Sequence, residues 1–480
     1  MRRTKIVATV GPASQDRASL EKLIAAGVNV IRINCSHANH EQSTTVIENI
    51  RDISHEQDRC VGILLDLSGP KIRTAKLANG PVLLQQGQTF TLTNRQVPGD
   101  AAMVSTNYAP LSREVKAGDC ILLDDGLIEL KVLSTNETDV ACEVINGGLL
   151  KDKKGINIPG VRLSIPAMTE KDKEDIKWGL KNEVDFIALS FVRDPDDIRS
   201  LRELIGEHWP PPAVIAKLEK PEALEQLDEI LKVSDGVMIA RGDLGVELPP
   251  EKVPPTQKFI IQKANSAGKP VITATQMLES MIEHPRPTRA EASDVANAIY
   301  DGTDAVMLSA ETASGQYPLE AVEMMDRIAT QAEDSMNYKK LHEHELPTSA
   351  HAIAHAACAM ALDMKATAIA TFTKSGATAR LISQFRPHVN IVALTQHNHV
   401  YRQLSLHWGT IPVMLTEVSD SESTLYMVEA TLLDTELAHP GDNIVITGGL
   451  PIAARGPANF VKLSVLDKKR KPTYWQFKGI

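Results

Sequence analysis

The chain has 480 residues, 43% apolar and 23% charged, with 51 Lys and Arg against 61 Asp and Glu, a net charge of −10. That length calls for about two to four hydrophobic cores, and the acidic balance argues against a nucleic-acid or membrane surface while leaving room for a local basic pocket. Cys35, Cys60, Cys120, Cys142 and Cys358 are scattered, odd in number and free of any CxxC, which excludes a disulfide framework and a zinc site. With no apolar run near the ~18 residues of a membrane span, a cytoplasmic protein is expected.

Eight short apolar runs, several followed by an amphipathic helical pattern, order the first two thirds of the chain: KIVATV (5–10), VIRIN (30–34), GILLD (62–66), FIALS (186–190), VIAKLE (214–219), VMIAR (237–241), VITAT (271–275) and AVMLS (305–309). They are nearly continuous and rich in β-branched residues, as strands buried on both faces are. Leu20, Leu23 and Ile24 share a helix face that stops at Gly27; Thr288 and Glu291 form a capping-box pair; Pro318 sits in a first helical turn. Eight strand–helix units predict an α/β protein built on a (β/α)8 TIM barrel, with a doubly wound open sheet as the alternative that the count disfavours.

One gap is too long for a plain barrel, since 186 − 66 = 120 residues separate the third run from the fourth. Inside it the period becomes two, in TFTL (89–92), CILLDDG (120–126), IELKVL (128–133) and VACEVI (140–145). This predicts an all-β domain inserted after strand 3, at the barrel end where active sites lie, and a lid is its natural role. AIATFT (368–373), IVALT (391–395), IPVML (411–415), NIVITG (443–448) and VKLSVL (461–466) predict a C-terminal open α/β domain. The expected limits are 1–70 and 167–345 for the barrel, 71–166 for the lid, 346–467 for the C-terminal domain and 468–480 for a basic-aromatic tail.

Chemistry-bearing residues gather at the strand ends. Lys217 and Glu219 lie two apart, so an ammonium and a carboxylate share one side of the barrel mouth. The sixth run leads into Arg241-Gly242-Asp243-Leu244-Gly245, where glycines on both sides of a carboxylate let backbone N–H groups approach a ligand. Glu219 and Asp243 together offer two oxygens to a hard cation; an ordinary ion pair and an ordinary turn remain the plain alternatives. Arg32, Asn34 and Ser36 alternate onto one side after the second run, and Asp66, Lys71 and Arg73 follow the third. Two arginines near one mouth suit an anionic, phosphate-bearing ligand. His37 and Thr275 taken singly are ordinary polar or capping residues. There is no Walker A sequence and no kinase-type glycine-rich loop. Thr373-Lys374-Ser375-Gly376-Ala377-Thr378, between a strand and a helix expected near Ala379, reads equally as a phosphate pocket or a capped turn.

The strings RINCSH, LDLSGPKIR, KKGIN, AKLEKPE, ARGDLGVE, ITATQMLESM, RPTRAEASDVANA and DGTDAVMLSAET, in this order over nearly the whole chain, resemble the pyruvate kinase family. The resemblance implies transfer of a phosphoryl group from phosphoenolpyruvate to ADP, giving pyruvate and ATP, with Mg²⁺ (Mn²⁺ as a substitute) held by Glu219 and Asp243. It implies Lys217, Arg73 and Thr275 as catalytic residues, and Arg32, Lys217, Gly242, Asp243 and Thr275 as substrate ligands. Asn34, His37, Arg73 and Lys154 are implied nucleotide contacts, and a homotetramer the implied assembly. It also favours the phosphate pocket at Thr373, Lys374, Ser375, Gly376 and Thr378, for a sugar monophosphate or nucleotide monophosphate activator, with Arg455 as an added contact.

The sequence departs from the family at a monovalent-cation site. Asn34, Ser36, Asp66 and the Leu67 carbonyl correspond to the K⁺ ligands of many members, but Lys71 stands where K⁺-requiring members have Glu. An internal ammonium between Asp66 and the substrate is therefore expected in place of K⁺, and K⁺ is expected not to be required.

Overall fold

Eight parallel strands close on themselves: β1 (Lys5–Thr9), β2 (Val30–Asn34), β3 (Gly62–Asp66), β4 (Phe186–Leu189), β5 (Ala213–Leu218), β6 (Gly236–Ala240), β7 (Val271–Ala274) and β8 (Ala305–Leu308), with β8 returning to pair with β1. This computed structural model describes residues 1–336, 348–415, 421–450 and 456–467. The expected limit at 345/346, Arg455 and the tail 468–480 lie outside the described residues.

Side chains alternate along each strand, so one sequence serves two cores. Val7, Val30, Leu64, Ala188, Ile215, Met238, Ile272 and Met307 fill the barrel interior. Their neighbours, among them Ile6, Ile31, Ile63, Ile187, Val214 and Val237, face the surrounding helices. The expected helix ends are present. Leu20, Leu23 and Ile24 are the buried face of Arg17–Ala25, Thr288 and Glu291 form a full capping box for Arg289–Tyr300, and Pro318 opens Pro318–Ser335.

The insertion after β3 folds as a six-stranded sheet and a separate two-stranded one over its own core, which includes Phe90, Leu92, Ile121, Leu130 and Val144. Its connections to the barrel stand side by side. Asp172 Oδ2 accepts the Thr169 N–H (2.8 Å) while Oδ1 accepts the Gly69 N–H (3.1 Å), so one buried carboxylate holds both chain crossings.

The C-terminal sheet runs β9 (Ala368–Phe372), β10 (Asn390–Thr395), β11 (Thr410–Met414), β12 (Asn443–Gly448) and β13 (Phe460–Val465) in the spatial order β11-β10-β9-β12-β13, all parallel except the last. It packs under the barrel floor, the end opposite the lid. Leu406 joins the barrel's interior core, Lys5 Nζ donates to the Thr410 carbonyl (2.6 Å), and Arg386 pairs with Asp304 (2.8 Å).

Candidate active site

The interior alternation that is apolar at mid-barrel turns polar one step nearer the C-terminal mouth. Two residues past Val7, Val30, Leu64, Ala188, Ile215 and Met307 come Thr9, Arg32, Asp66, Ser190, Lys217 and Ser309. Because β3 ends at this face, the lid stands over this layer. Most of it, with Asn34, Ser36, Glu219, Asp243 and Thr275, lines a cleft of about 430 Å³.

Lys217 is the centre of the layer. Its Nζ lies 3.2 Å from Asp66 Oδ1 and 3.0 Å from Glu219 Oε1 and donates to Ser190 Oγ at 2.7 Å. Burial acts to lower its pKa, but the two carboxylates outweigh burial and raise it, so the ammonium is retained. Asp66 feels the same contest. Burial opposes its charge, yet Lys217 and Arg32, whose Nε lies 2.6 Å from Oδ2, hold it below its usual range. Glu219 goes the other way, pushed up by burial and by the nearby Asp243 charge despite Lys217 and the Phe191 N–H on Oε2 (2.7 Å). Arg32 is braced again by Thr9 Oγ1 (3.0 Å).

Asp66 Oδ1 and Glu219 Oε1 are buried without a hydrogen-bond partner, each touching only the Lys217 charge. A buried carboxylate oxygen left in this state fits a site completed by a cation. No group of three or more His, Cys, Asp or Glu suited to a metal ion occurs among the described residues. Glu219 and Asp243 make a two-carboxylate set, the kind that suits Mg²⁺ when substrate and water supply its other ligands.

Arg241–Gly242–Asp243 is not a turn but the start of a short helix, Arg241–Glu247. The Gly242 N–H expected to face substrate donates to Thr275 Oγ1 (2.7 Å), which in turn donates to the Ala274 carbonyl (2.6 Å). Thr275 stands at φ +69°, a left-handed backbone that a β-branched residue rarely adopts.

The expected nucleotide residues are only partly gathered. Arg73 and Lys154 line a second, larger cleft of about 1060 Å³ between barrel and lid, which adjoins the first at Lys71 and Asp243. There Arg73 Nη1 donates to the Lys153 carbonyl (3.0 Å) and Lys154 pairs with Asp124 (2.7 Å). Asn34 belongs to the first cleft instead, and His37 is exposed and lines neither.

Lys71 also departs from expectation. It lines both clefts, but its ammonium lies 5.8 Å from the centre of the Phe191 ring, a cation–π contact, and the charges paired with Asp66 are Arg32 and Lys217. Around the expected cation position, Asn34 Oδ1 accepts the Ser36 N–H (3.1 Å), Ser36 Oγ donates to Ser68 Oγ (3.2 Å), and the Leu67 carbonyl accepts from Ser190 Oγ (2.7 Å).

In the C-terminal domain the helix after β9 begins at Ala377, earlier than expected, because Gly376 at φ +78° is its cap. Thr378 therefore belongs to the helix's first turn, not to the preceding loop. Thr373 is buried; Lys374 and Ser375 are exposed.

Ser190, Thr9 and Arg241 are site residues that the strand-end reading passed over. The first two were within reach of the alternation rule, one step beyond Ala188 and Val7.

Comparison with known proteins gives a consistent result. Residues 1–322 match the family described as pyruvate kinase, barrel domain, and residues 351–464 match pyruvate kinase, alpha/beta domain. Proteins named pyruvate kinase from Staphylococcus aureus strains MRSA252 and USA300 are each 48% identical over 472 residues, 97% of this chain and 81% of theirs. A crystal structure of a pyruvate kinase from Cryptosporidium parvum superposes with a TM-score of 0.92 at 38% identity, covering 97% of this chain and 96% of that one.

Proposed function

This chain belongs to the pyruvate kinase family, and we propose on that premise that the Lys217 cluster is where its chemistry happens. The enzyme is a glycolytic phosphotransferase that moves the phosphoryl group of phosphoenolpyruvate to ADP, giving pyruvate and ATP. Phosphoryl transfer asks for in-line positioning and for positive charge where negative charge grows, with little covalent help. The observation that carries the assignment is a buried, retained ammonium between two carboxylates whose facing oxygens have no other partner.

In this reading Lys217 neutralises charge on the transferring group and on the enolate oxygen left behind. Arg32, fixed by Asp66 and Thr9, binds the phosphate of phosphoenolpyruvate, and Arg73 and Lys154 bind the nucleotide from the lid side. The backbone N–H groups of Gly242 and Asp243 and the Thr275 hydroxyl receive the substrate carboxylate, which takes over the hydrogen bond now made within the protein. Glu219 and Asp243 hold Mg²⁺, which when bound neutralises phosphate charge. Closure of the lid over both clefts keeps water from taking the phosphoryl group. A coupled assay for pyruvate with phosphoenolpyruvate, ADP and Mg²⁺ tests this, and loss of activity in Lys217, Glu219 and Asp243 variants is the expected pattern.

Three finer readings go with it. Three of the oxygens that would surround K⁺, Asn34 Oδ1, Ser36 Oγ and the Leu67 carbonyl, already hydrogen-bond within the protein, and this supports activity without K⁺. The Thr373–Thr378 turn, with its glycine-capped helix start, is read as the phosphate pocket for a sugar or nucleotide monophosphate activator; a panel of such phosphates that leaves substrate saturation unmoved refutes it. A homotetramer is the expected assembly, to be checked by light scattering at assay concentration. The domain limits 1–70, 71–166, 167–345 and 346–467 are proposed with these readings.

A further inference from the structure

We propose that Arg241 is a positioning residue that holds Thr275 and the Gly242 amide in register for the substrate carboxylate, an inference that rests on the reading of Gly242, Asp243 and Thr275 as the carboxylate site. Arg241 precedes Gly242, and its guanidinium is buried, with 9% of the side chain exposed. Its donors are spread over three consecutive carbonyls, the last of β7 and the first two of the loop after it: Nε to Ala274 (3.3 Å), and Nη2 to Thr275 (2.7 Å) and Gln276 (3.3 Å). Nη1 is anchored on Asp294 (2.8 Å to Oδ1) and Gln257 Oε1 (3.3 Å).

The loop so held is strained. Thr275 and Gln276 stand at φ +69° and +53°, and two successive non-glycine residues keep such a backbone only when their surroundings impose it. The guanidinium is what imposes it, because it gathers the carbonyls that this conformation turns inward. The consequence reaches the substrate site directly, since Thr275 Oγ1 is the group bonded to the Gly242 N–H (2.7 Å). If the loop relaxes, that hydroxyl swings away from the helix start. One side chain thus sets both halves of the carboxylate site. Lysine cannot replace it, since its three donors radiate from one atom and cannot span the carbonyls and Asp294 together.

The test is steady-state kinetics on Arg241→Lys, Thr275→Val and the double variant, with thermal unfolding measured alongside. Misplacing a reacting group by about 1 Å costs on the order of 10²-fold, so Arg241→Lys is expected to lower kcat/KM for phosphoenolpyruvate by about 10- to 100-fold. Its KM for ADP should stay within about twofold of wild type. Calorimetric affinity for oxalate, a planar dicarboxylate resembling the enolate, is expected to fall by a similar factor. Because both residues act through one hydroxyl, the double variant should be no more than about threefold worse than Thr275→Val alone. Wild-type kinetics in Arg241→Lys beside an impaired Thr275→Val overturns this inference alone. Losses that multiply in the double variant also overturn it, because they mark independent effects, as do ADP and phosphoenolpyruvate constants that worsen together, which mark a general loss of fold. Unchanged phosphoenolpyruvate kinetics in Thr275→Val overturns the carboxylate-site reading and this inference with it.

Discussion

Replacing Lys217 by Met removes the charge that two buried carboxylates share while keeping most of the side chain's volume. At 3.0 and 3.2 Å, and at an effective dielectric near 20, each attraction is worth roughly 5 kcal/mol before desolvation is counted. Desolvation offsets much of that, and breaking a buried pair by removing one partner costs about 3–5 kcal/mol. Arg32 still serves Asp66, so the deficit falls mainly on Glu219. Metal-free Lys217→Met is therefore expected to unfold at lower denaturant than wild type. Mg²⁺ should narrow the gap, since a ligand that binds only the folded state stabilises it. At saturating Mg²⁺, where the fold is held, turnover should still be down by at least about 10²- to 10³-fold, the scale of losing one charge-stabilising donor, with KM for ADP little changed. The assays are denaturant titration with and without Mg²⁺, and initial rates. Turnover within tenfold of wild type, or equal metal-free stability, refutes the reasoning.

Activity in K⁺-free, NH₄⁺-free buffer should match that with KCl at equal ionic strength; a K⁺-specific rise of about tenfold in the wild-type rate refutes the reading. Lys5 is pushed down from 10.5 to about 7, first by burial and then by Arg2, with Glu333 and Cys60 opposing. A lowered folded pKa means that its contribution to stability is complete above the unfolded value and lost as pH falls through about 7. Denaturant titrations should therefore show stability from this group rising between pH 6 and 8.5, below the range where Cys60 and Tyr401, both raised by burial, enter. Lys5→Met should lack that rise and be at least as stable at pH 6. Asn157→Ala removes a lid contact to Glu247 (2.8 Å); KM for ADP should rise a few-fold with that for phosphoenolpyruvate unchanged, and an unmoved KM for ADP counts against it as a lid contact.

The barrel is legible in the sequence because two-sided burial makes its strands apolar throughout, and Glu219 and Asp243 are legible because strand ends aim at one mouth. The lid's longer strands show their period of two, but Val82–Leu84, Met103–Ser105, Gly148–Leu150 and Ile156–Asn157 are too short to carry any period. The direction of the Lys71 side chain is not legible in the sequence, because it depends on where the Phe191 ring stands, and Phe191 is itself at φ +55°. Arg241 was visible as a residue but not as a clamp, since the carbonyls it holds are 33 to 35 positions away and meet it only across neighbouring strands. His37 lies in a matching motif, yet the motif says nothing about which cleft the loop faces.

The Asp172 carboxylate, which joins Gly69 to Thr169, makes the insertion separable. No barrel strand lies between those two residues, so a turn of a few residues spliced across the gap leaves every strand pairing of the barrel in place. A chain shortened in this way retains the charged layer at the mouth but leaves it bathed in solvent, and water then competes with ADP for the phosphoryl group. The ratio of pyruvate to ATP formed by the shortened and intact chains would measure the insertion's share in choosing the acceptor, apart from the barrel's share in breaking the bond.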